Sequence, residues 1–145
     1  MDVRTQIARF TSAVNETMRL EPSISAILRT AVAPIDLHGT TIPAGSLLML
    51  CIAAASRDAS AWPEPDRYDP DRFTRPDTPK LLNFGAGTHY CLGTALAKIA
   101  VEEAVRAVLA ADPPLRLNED PAEIPWRHVL GRSPARLIVS SDIAA

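Results

Sequence analysis

The chain has 145 residues, of which 47% are hydrophobic and 22% are charged, and its formal net charge is −2. These values lie close to those of soluble globular proteins and exclude a disordered chain, a collagen-like repeat and a disulfide-dense scaffold. Positive and negative residues are interspersed, so the sequence offers no basic surface for nucleic acid. We therefore predict a single domain over residues 1–145 with no nucleic-acid partner.

The longest apolar run covers residues 47–55. A membrane-spanning helix needs roughly 20 apolar residues, so none is predicted. The N-terminus lacks the basic and then apolar order of a secretory signal, which favours a cytoplasmic protein with no membrane contact. In a reducing compartment Cys51 and Cys91 are expected to be two separate thiols, with Cys51 filling the core.

The first predicted element is a helix that ends at about Leu20, before Pro22. Its apolar residues recur on one helical face: Val3, Ile7, Phe10, Val14 and Met18. Residues 25–50 mix β-branched residues with turn residues and predict a small sheet.

The Pro-rich tract, residues 56–83, is expected to be ordered and to hold at most one short helix, near residues 59–61. Three aromatic residues indicate that the tract packs against the rest of the fold: Trp62, Tyr68 and Phe73.

A second long helix is predicted over residues 94–111, with its apolar face towards the core and its charged residues in water. That apolar face consists of Leu96, Ile99, Ala100, Val105 and Leu109. Short strands are predicted near residues 115–117, 126–130 and 136–139. The expected fold class is mainly α with a small β region, that is, α+β.

Cys91 lies in a glycine-containing loop directly before the second long helix. A helix N-terminus and exposed backbone N–H groups favour the thiolate, which is the form of cysteine that binds a metal. The amides of Leu92 and Gly93 are placed to point at the sulfur, and Gly93 lets the backbone come close to whatever the sulfur holds. Phe84 is placed to keep water away. The pattern predicts a metal site with one thiolate ligand.

The ligand count distinguishes zinc from haem iron at such a site. Zinc usually takes four side-chain ligands in close pairs, whereas Cys51, His38 and His128 are scattered along the chain. Haem needs one protein ligand on its proximal side, and a thiolate is one of the known choices. Haem therefore fits the sequence better than zinc.

The loop resembles that of the cytochrome P450 family, the haem-thiolate monooxygenases, in which it has the form F-x-x-G-x-H/R-x-C-x-G. The matching residues are Phe84, Gly87, His89, Cys91 and Gly93. The resemblance implies that Cys91 is the axial ligand to the iron of haem b and that His89 binds a haem propionate. It places Gly85 and Leu92 in the same cofactor-binding loop.

Two further motifs of the family occur in the same order along the chain. Glu16 and Arg19 match the E-x-x-R of a helix beside the haem, and residues at i and i+3 lie on one helical face. The resemblance implies that Arg72, from the Pro-rich tract, completes a Glu-Arg-Arg network. It also implies that Arg29 binds the other propionate.

The resemblance implies a soluble enzyme of the bacterial type that uses oxygen to hydroxylate an apolar small molecule, with electrons from a ferredoxin or a flavoprotein. The residues that would face the substrate are Ile24, Ser25, Ile27 and Leu28. The chain resembles only the C-terminal third of the family and has no counterpart of the distal helix. We therefore expect another chain or a second copy to complete the distal side of the haem.

Two other interpretations stay open at this point. One is a non-catalytic interaction module that keeps the elements of the fold but binds no haem. The other is a structural zinc or bare-thiol protein that uses Cys91.

Overall fold

The computed structural model of the chain describes residues 2–128 and 131–141. Within these residues it contains both helices and short antiparallel strands, so the expected α+β class is confirmed. No helix in this part of the chain is long and apolar enough to cross a membrane.

Helix α1 (Val3–Leu20) forms where the apolar spacing predicts it. Asp2 caps its N-terminus, because Oδ1 accepts a hydrogen bond of 2.9 Å from the amide of Arg4. The C-terminal half of α1 packs against the rest of the fold, and Val14 is buried there. The first two turns of the apolar face are exposed, with Val3 67% and Ile7 51% exposed.

Two nested antiparallel pairs form the predicted small sheet region. Strand β1 (Ala26–Thr30) pairs with β4 (Leu47–Cys51), with the first residue of β1 opposite the last of β4. Between them, β2 (Ile35–Leu37) and β3 (Thr40–Ile42) form a hairpin.

The turn of the β2–β3 hairpin has only two residues, His38 and Gly39. Both have a positive φ, at 49° and 80°. A two-residue turn of this kind requires φ above zero at both positions, and glycine adopts it without strain. His38 is exposed at this turn.

The Pro-rich tract holds one short helical element, within the predicted limit of one, but the position near residues 59–61 is wrong, because these residues form a turn. The Oδ1 atom of Asp58 accepts hydrogen bonds from the amide of Ser60 at 2.8 Å and from its hydroxyl at 2.6 Å. Such a side chain competes with helical backbone bonds. Helical structure lies on either side instead, in α2 (Ile52–Ala55) and in a 3-10 turn (Arg72–Thr74).

The Pro-rich tract packs through its aromatic residues, as expected. Trp62 is 3% exposed, its Nε1 donates to the carbonyl of Ala55 at 3.0 Å, and its ring centroid lies 6.0 Å from that of Phe73. Tyr68 is half exposed, yet its hydroxyl donates to the carbonyl of Ala13 at 3.2 Å. These contacts attach the tract to α2 and α1.

Helix α3 (Thr94–Leu109) confirms the second predicted helix, which ends two residues earlier than expected. No described residue of α3 is buried. The expected core face is therefore wrong: Leu96 is 72% exposed and Ile99 60%. The physical reason is that α1, the main element packed against α3, lines a groove with only two residues of the expected face, Val105 and Leu109, and leaves Leu96 and Ile99 uncovered.

The C-terminal part consists of two more antiparallel pairs. Strand β5 (Leu115–Leu117) pairs with β8 (Val139–Ser141), and between them β6 (Trp126–His128) pairs with β7 (Arg132–Pro134). Residues 129 and 130, the end of a predicted strand, lie outside the described residues.

The prediction of a strand over residues 136–139 is wrong in position. The strand begins at Val139, and β7 forms in a segment for which no strand was predicted. The amide of Arg132 donates to the carbonyl of Ser23 at 2.6 Å, and the amide of Ile138 donates to a carboxylate oxygen of Glu119 at 3.0 Å. Both contacts hold this segment in place, and neither has a local sequence signal.

The apolar core is small and lies around the end of α1. Its buried hydrophobic residues are Val14, Ala31, Ile52, Trp62 and Ile124. The chain exposes 10608 Å² of surface. A compact monomer of this size exposes about 7,300 Å². The fold is therefore open, and much apolar surface stays accessible.

Candidate functional site

The carboxylate of Glu16 is the centre of a buried polar cluster. Glu16 and Arg19 are 0% exposed and Arg72 is 4% exposed. Arg19 donates to the two carboxylate oxygens at 2.8 and 2.9 Å, and Nε of Arg72 lies 3.1 and 3.2 Å from them. The amide of Asp69 adds a bond of 3.0 Å. The structure thus brings together the three residues of the expected network.

The remaining N–H groups of Arg19 and Arg72 donate to backbone carbonyl oxygens at 2.7 to 3.3 Å. The accepting residues all belong to the Pro-rich tract: Ser56, Pro63, Glu64, Pro65 and Arg67. A buried charge is tolerated only when its hydrogen-bonding groups are satisfied. The two guanidinium groups therefore fix the path of a tract that has almost no regular secondary structure.

The ionisation of Glu16 follows from the same contacts. Burial alone would raise the pKa of this carboxyl group, but the hydrogen bonds from Arg19, Asp69 and Arg72 outweigh it. The pKa of Glu16 is therefore lower than its ordinary value, and the group carries a negative charge at neutral pH.

The loop before α3 is closed by its own backbone. The amide of Cys91 donates to the carbonyl of Phe84 at 2.9 Å, and the amide of Tyr90 donates to that of Gly87 at 3.1 Å. The carbonyl of Cys91 accepts bonds from the amide and the hydroxyl of Thr94, at 3.3 and 2.7 Å. Cys91 is thereby held directly before α3, whose N-cap is Gly93, with an exposed free thiol.

The space beside the thiol is open. A Cβ atom at Gly93 would lie 3.8 Å from Sγ of Cys91, and Leu92 is fully exposed. Among the described residues, the amides of Leu92 and Gly93 donate no hydrogen bond. Amides at a helix N-terminus stabilise a thiolate, so this arrangement suits a sulfur that binds a metal.

The other loop residues surround this segment. Gly85 and Gly87 have φ of 76° and 70°, a region that favours glycine, so both are needed for the turn. His89 is exposed at the end of a 3-10 turn (Gly87–His89). The ring of Phe84 is half-buried, and Nζ of Lys98 lies 5.8 Å from its centroid.

A cavity of about 400 Å³ joins β1 and β4 to the loop before Cys91. Arg29, Ile27 and Cys51 line it from the strands, and Gly85 and Ala86 from the loop. Arg29 is exposed, and its Nη1 donates to the carbonyl of its neighbour in β1 at 2.7 Å. The structure therefore places the expected propionate-binding cation beside the loop.

Cys51 does not fill the core as expected. It is exposed, because it ends β4 at the edge of this cavity, and it forms no disulfide. The expectation of two separate thiols is consistent with this placement.

The four residues expected to face a substrate do not form one surface in the described structure. Ile27 lines the cavity with Arg29. Leu28 alternates to the other face of β1 and is 58% exposed, and Ser25 is half-buried. Ile24 contacts the β6–β7 hairpin, since a Cβ atom at Gly131 would lie 3.4 Å from its side chain.

The donor set fits one thiolate ligand rather than a multidentate site. Within the described residues, no three His, Cys, Asp or Glu side chains are grouped so that they could hold a metal ion. Zinc in a structural site would need four. An exposed thiol with open space beside it, apolar exposed neighbours and a nearby guanidinium match the needs of haem better.

Two residues that support the site were missed by sequence analysis. Asp69 binds Glu16 through its backbone amide, which has no residue-specific signal. Asn83 precedes the loop, and its Nδ2 donates to the carbonyl of Met18 in α1 at 2.5 Å. A polar residue directly before the loop was the only available signal for this contact.

Comparison with known proteins gives consistent results. The sequence profile of the family described as cytochrome P450 matches residues 1–111. The chain is 40% identical over 125 residues to the cytochrome P450 monooxygenase PikC of Streptomyces venezuelae, a match that covers 86% of this chain and 29% of that protein. It is 34% identical over 128 residues to the 6-deoxyerythronolide B hydroxylase of Saccharopolyspora erythraea, which covers 88% of this chain and 31% of the relative.

Solved structures agree with the sequence comparison. The tirandamycin C-bound P450 monooxygenase TamI superposes with a TM-score of 0.83 at 33% identity, over 97% of this chain and 35% of that chain. The chain therefore spans about a third of the length of the relatives it matches.

Proposed function

Because the chain belongs to the cytochrome P450 family, we propose that it binds haem b through the Cys91 thiolate and forms the thiolate side of an oxygen-dependent monooxygenase. The observation that carries this proposal is the exposed thiol of Cys91, held at the start of α3 beside open space. Bound haem would supply the iron at which oxygen is activated.

The residues around the thiol have distinct parts in this proposal. Cys91 binds the iron and donates electron density to it, while the first amides of α3 stabilise the thiolate. His89 would bind one propionate, and the guanidinium of Arg29 would bind the other. The Glu16 network holds the Pro-rich tract beside the loop and takes no part in the chemistry.

The proposed substrate is an apolar small molecule that undergoes hydroxylation. Support comes from the relatives, one of which is named a hydroxylase and another of which was solved with tirandamycin C bound. In this chain the candidate contacts are the apolar residues that follow α1, with Ile27 in the cavity beside Arg29.

Electrons would come from a ferredoxin or a flavoprotein in the cytoplasm. A cavity of about 590 Å³ between the Pro-rich tract and the Cys91 loop is lined by three basic side chains, those of Arg75, Lys80 and Lys98. Positive charge beside the loop suits an acidic electron donor, because complementary charges speed encounter.

We propose further that the distal side of the haem is completed by protein outside this chain, either another polypeptide or a second copy. The apolar surface left exposed supports this, since haem retention depends on apolar burial. The same exposed apolar surface also fits the alternative function, a P450-like interaction module without haem.

The test is a carbon monoxide spectrum of the purified chain after addition of haem and reduction. A thiolate-ligated ferrous-carbonyl haem absorbs at a longer wavelength than a His-ligated one. We expect this red-shifted band in the unaltered chain and in Cys51→Ala, and its loss in Cys91→Ala. A band that is the same in both variants would refute Cys91 as the ligand. The absence of haem uptake would favour the interaction module.

A further inference from the structure

Asn83 lies directly before the Cys91 loop and contacts helix α1. It is half-buried, and its Nδ2 donates to the carbonyl of Met18, in the last turn of α1, at 2.5 Å. If the helix continued, the donor to this carbonyl would be the amide of residue 22. That residue is Pro22, which has no N–H. The side chain of Asn83 therefore satisfies a carbonyl at the helix end that the following backbone cannot satisfy.

The same residue belongs to the turn with which the loop begins. The amide of Gly85 donates to the carbonyl of Leu82 at 2.8 Å, so Asn83 and Phe84 are the two central residues of a β-turn. The carbonyl of Phe84 in turn accepts the amide of Cys91 at 2.9 Å. A continuous path of bonds thus runs from α1 through Asn83 and Phe84 to Cys91.

The other polar atom of the Asn83 side chain shows which group the position uses. Oδ1 of Asn83 is buried and has no hydrogen-bond partner among the described residues. A buried acceptor without a partner is costly, so an apolar side chain of similar size would be favoured if the position required packing alone. The position therefore depends on the N–H donor, which an apolar side chain lacks.

The remaining hydrogen bonds of the loop do not attach it to α1. They join Tyr90 to Gly87 within the loop, and Cys91 to Thr94 at the start of α3. Helix α3 is a weak support for the loop, since none of its described residues is buried. Among the described residues of segment 82–93, Asn83 alone hydrogen-bonds to α1 through its side chain.

We propose that Asn83 is a positioning residue for Cys91. Its side-chain amide fixes the 82–85 turn on α1, and the turn holds the backbone of Cys91 through the carbonyl of Phe84. This inference rests on the proposed function, in which the Cys91 thiolate binds haem iron. It adds a residue outside the cysteine motif to those that orient the thiolate. Asn83 acts through the loop backbone and has no direct part in the chemistry.

The first test follows the backbone of Cys91 in the full chain without haem. Amide hydrogen exchange is measured at Cys91 and at Asp69, whose amide donates to Glu16 at 3.0 Å. Asn83→Leu and Asn83→Asp both remove the donor at nearly constant size. We expect exchange at Cys91 to become about tenfold faster in both variants, while exchange at Asp69 changes by less than about twofold. Equal acceleration at both amides indicates a general loss of stability and overturns the proposal, as does unchanged exchange at Cys91.

Two matched variants identify the N–H donor as the cause. Asn118→Ala removes another asparagine with a side-chain hydrogen bond, 2.8 Å from the hydroxyl of Ser140 beside the β5–β8 pair, and should leave exchange at Cys91 unchanged. Asn83→Gln keeps the donor on a side chain that is one CH₂ longer, and it should accelerate exchange at Cys91 by no more than about threefold. If Asn83→Gln has as large an effect as Asn83→Asp, the donor is not what matters and the proposal fails.

The second test uses the chain with added haem, reduced under carbon monoxide. The red-shifted band of the thiolate-ligated form should convert to the shorter-wavelength band at least about threefold faster in Asn83→Asp than in the unaltered chain or Asn118→Ala, because the released loop holds the thiolate less firmly. Equal rates of conversion overturn the proposal. If the unaltered chain takes up no haem, the proposed function fails, whereas the exchange rates at Cys91 still decide the role of Asn83.

Discussion

Replacing Glu16 by Gln tests whether the buried network holds the fold together. The substitution keeps the shape of the side chain but removes its charge, while both guanidinium groups remain buried. An amide has one acceptor oxygen, and its NH₂ group would face N–H donors of Arg19 or Arg72. The two carboxylate oxygens currently accept bonds from both arginines and from the amide of Asp69.

The expected loss follows from this uncompensated charge. Removing one partner of a buried ion pair typically costs about 3 to 5 kcal/mol. The total stability of a natural domain is about 5 to 15 kcal/mol, so the loss is a large fraction of it. A matched control exists in the same chain, because Glu64 and Arg67 are also an i, i+3 pair, at 2.9 Å. Their side chains are 68% and 65% exposed, so Glu64→Gln should cost less than about 1 kcal/mol.

The assay is urea unfolding followed by circular dichroism, at one protein concentration for all variants because association would change the midpoint. The free energy of unfolding of Glu16→Gln should fall at least threefold further than that of Glu64→Gln, by the magnitudes above. Equal losses for the two variants would refute the reasoning, because they would mean that burial of the pair does not matter.

Two further predictions concern pH and the β6–β7 hairpin. The pKa values of Glu16 and Asp69 are lower than their ordinary values of 4.5 and 3.8. The two carboxylates therefore stabilise the folded state fully above those values, and this stabilisation is lost as the pH falls below them. The urea midpoint should drop between about pH 5 and pH 3, and a constant midpoint would contradict this. Gly131→Ala should destabilise the hairpin by about 1 to 3 kcal/mol, because its Cβ would lie 2.5 Å from the carbonyl oxygen of Ser23. Hydrogen exchange of the Arg132 amide, which donates to that oxygen, measures the effect, and Gly93→Ala, with no contact closer than 3.8 Å, should leave it unchanged.

Local signals in the sequence predicted the long helices and the first strands well. The apolar spacing and Pro22 determine α1, and the two-residue turn at His38 and Gly39 determines a hairpin, so neighbouring residues contain the information. The errors lie where a distant partner decides the structure. Strand β7 pairs with β6, and its Arg132 amide also donates to the carbonyl of Ser23, more than a hundred residues away in sequence, a contact that no local pattern reports.

In the candidate site, too, the sequence predicted some features and missed others. A motif specified the residues of the Cys91 loop, and the structure places Arg29 beside that loop across a cavity. The motif did not include the carbonyl groups that surround Arg19 and Arg72, because backbone acceptors are common to all residues. Their geometry explains why a tract with little regular structure has a defined path.

The exposure of α3 follows from the same distinction between local and distant information. Periodicity predicts that a helix has an apolar side, but it does not say whether the protein that covers this side belongs to the same chain. Leu96 and Ile99 were expected in a core and are exposed, because α1 covers only the side that holds Val101 and Val105. The apolar residues of α3 that α1 leaves exposed thus indicate packing against other protein.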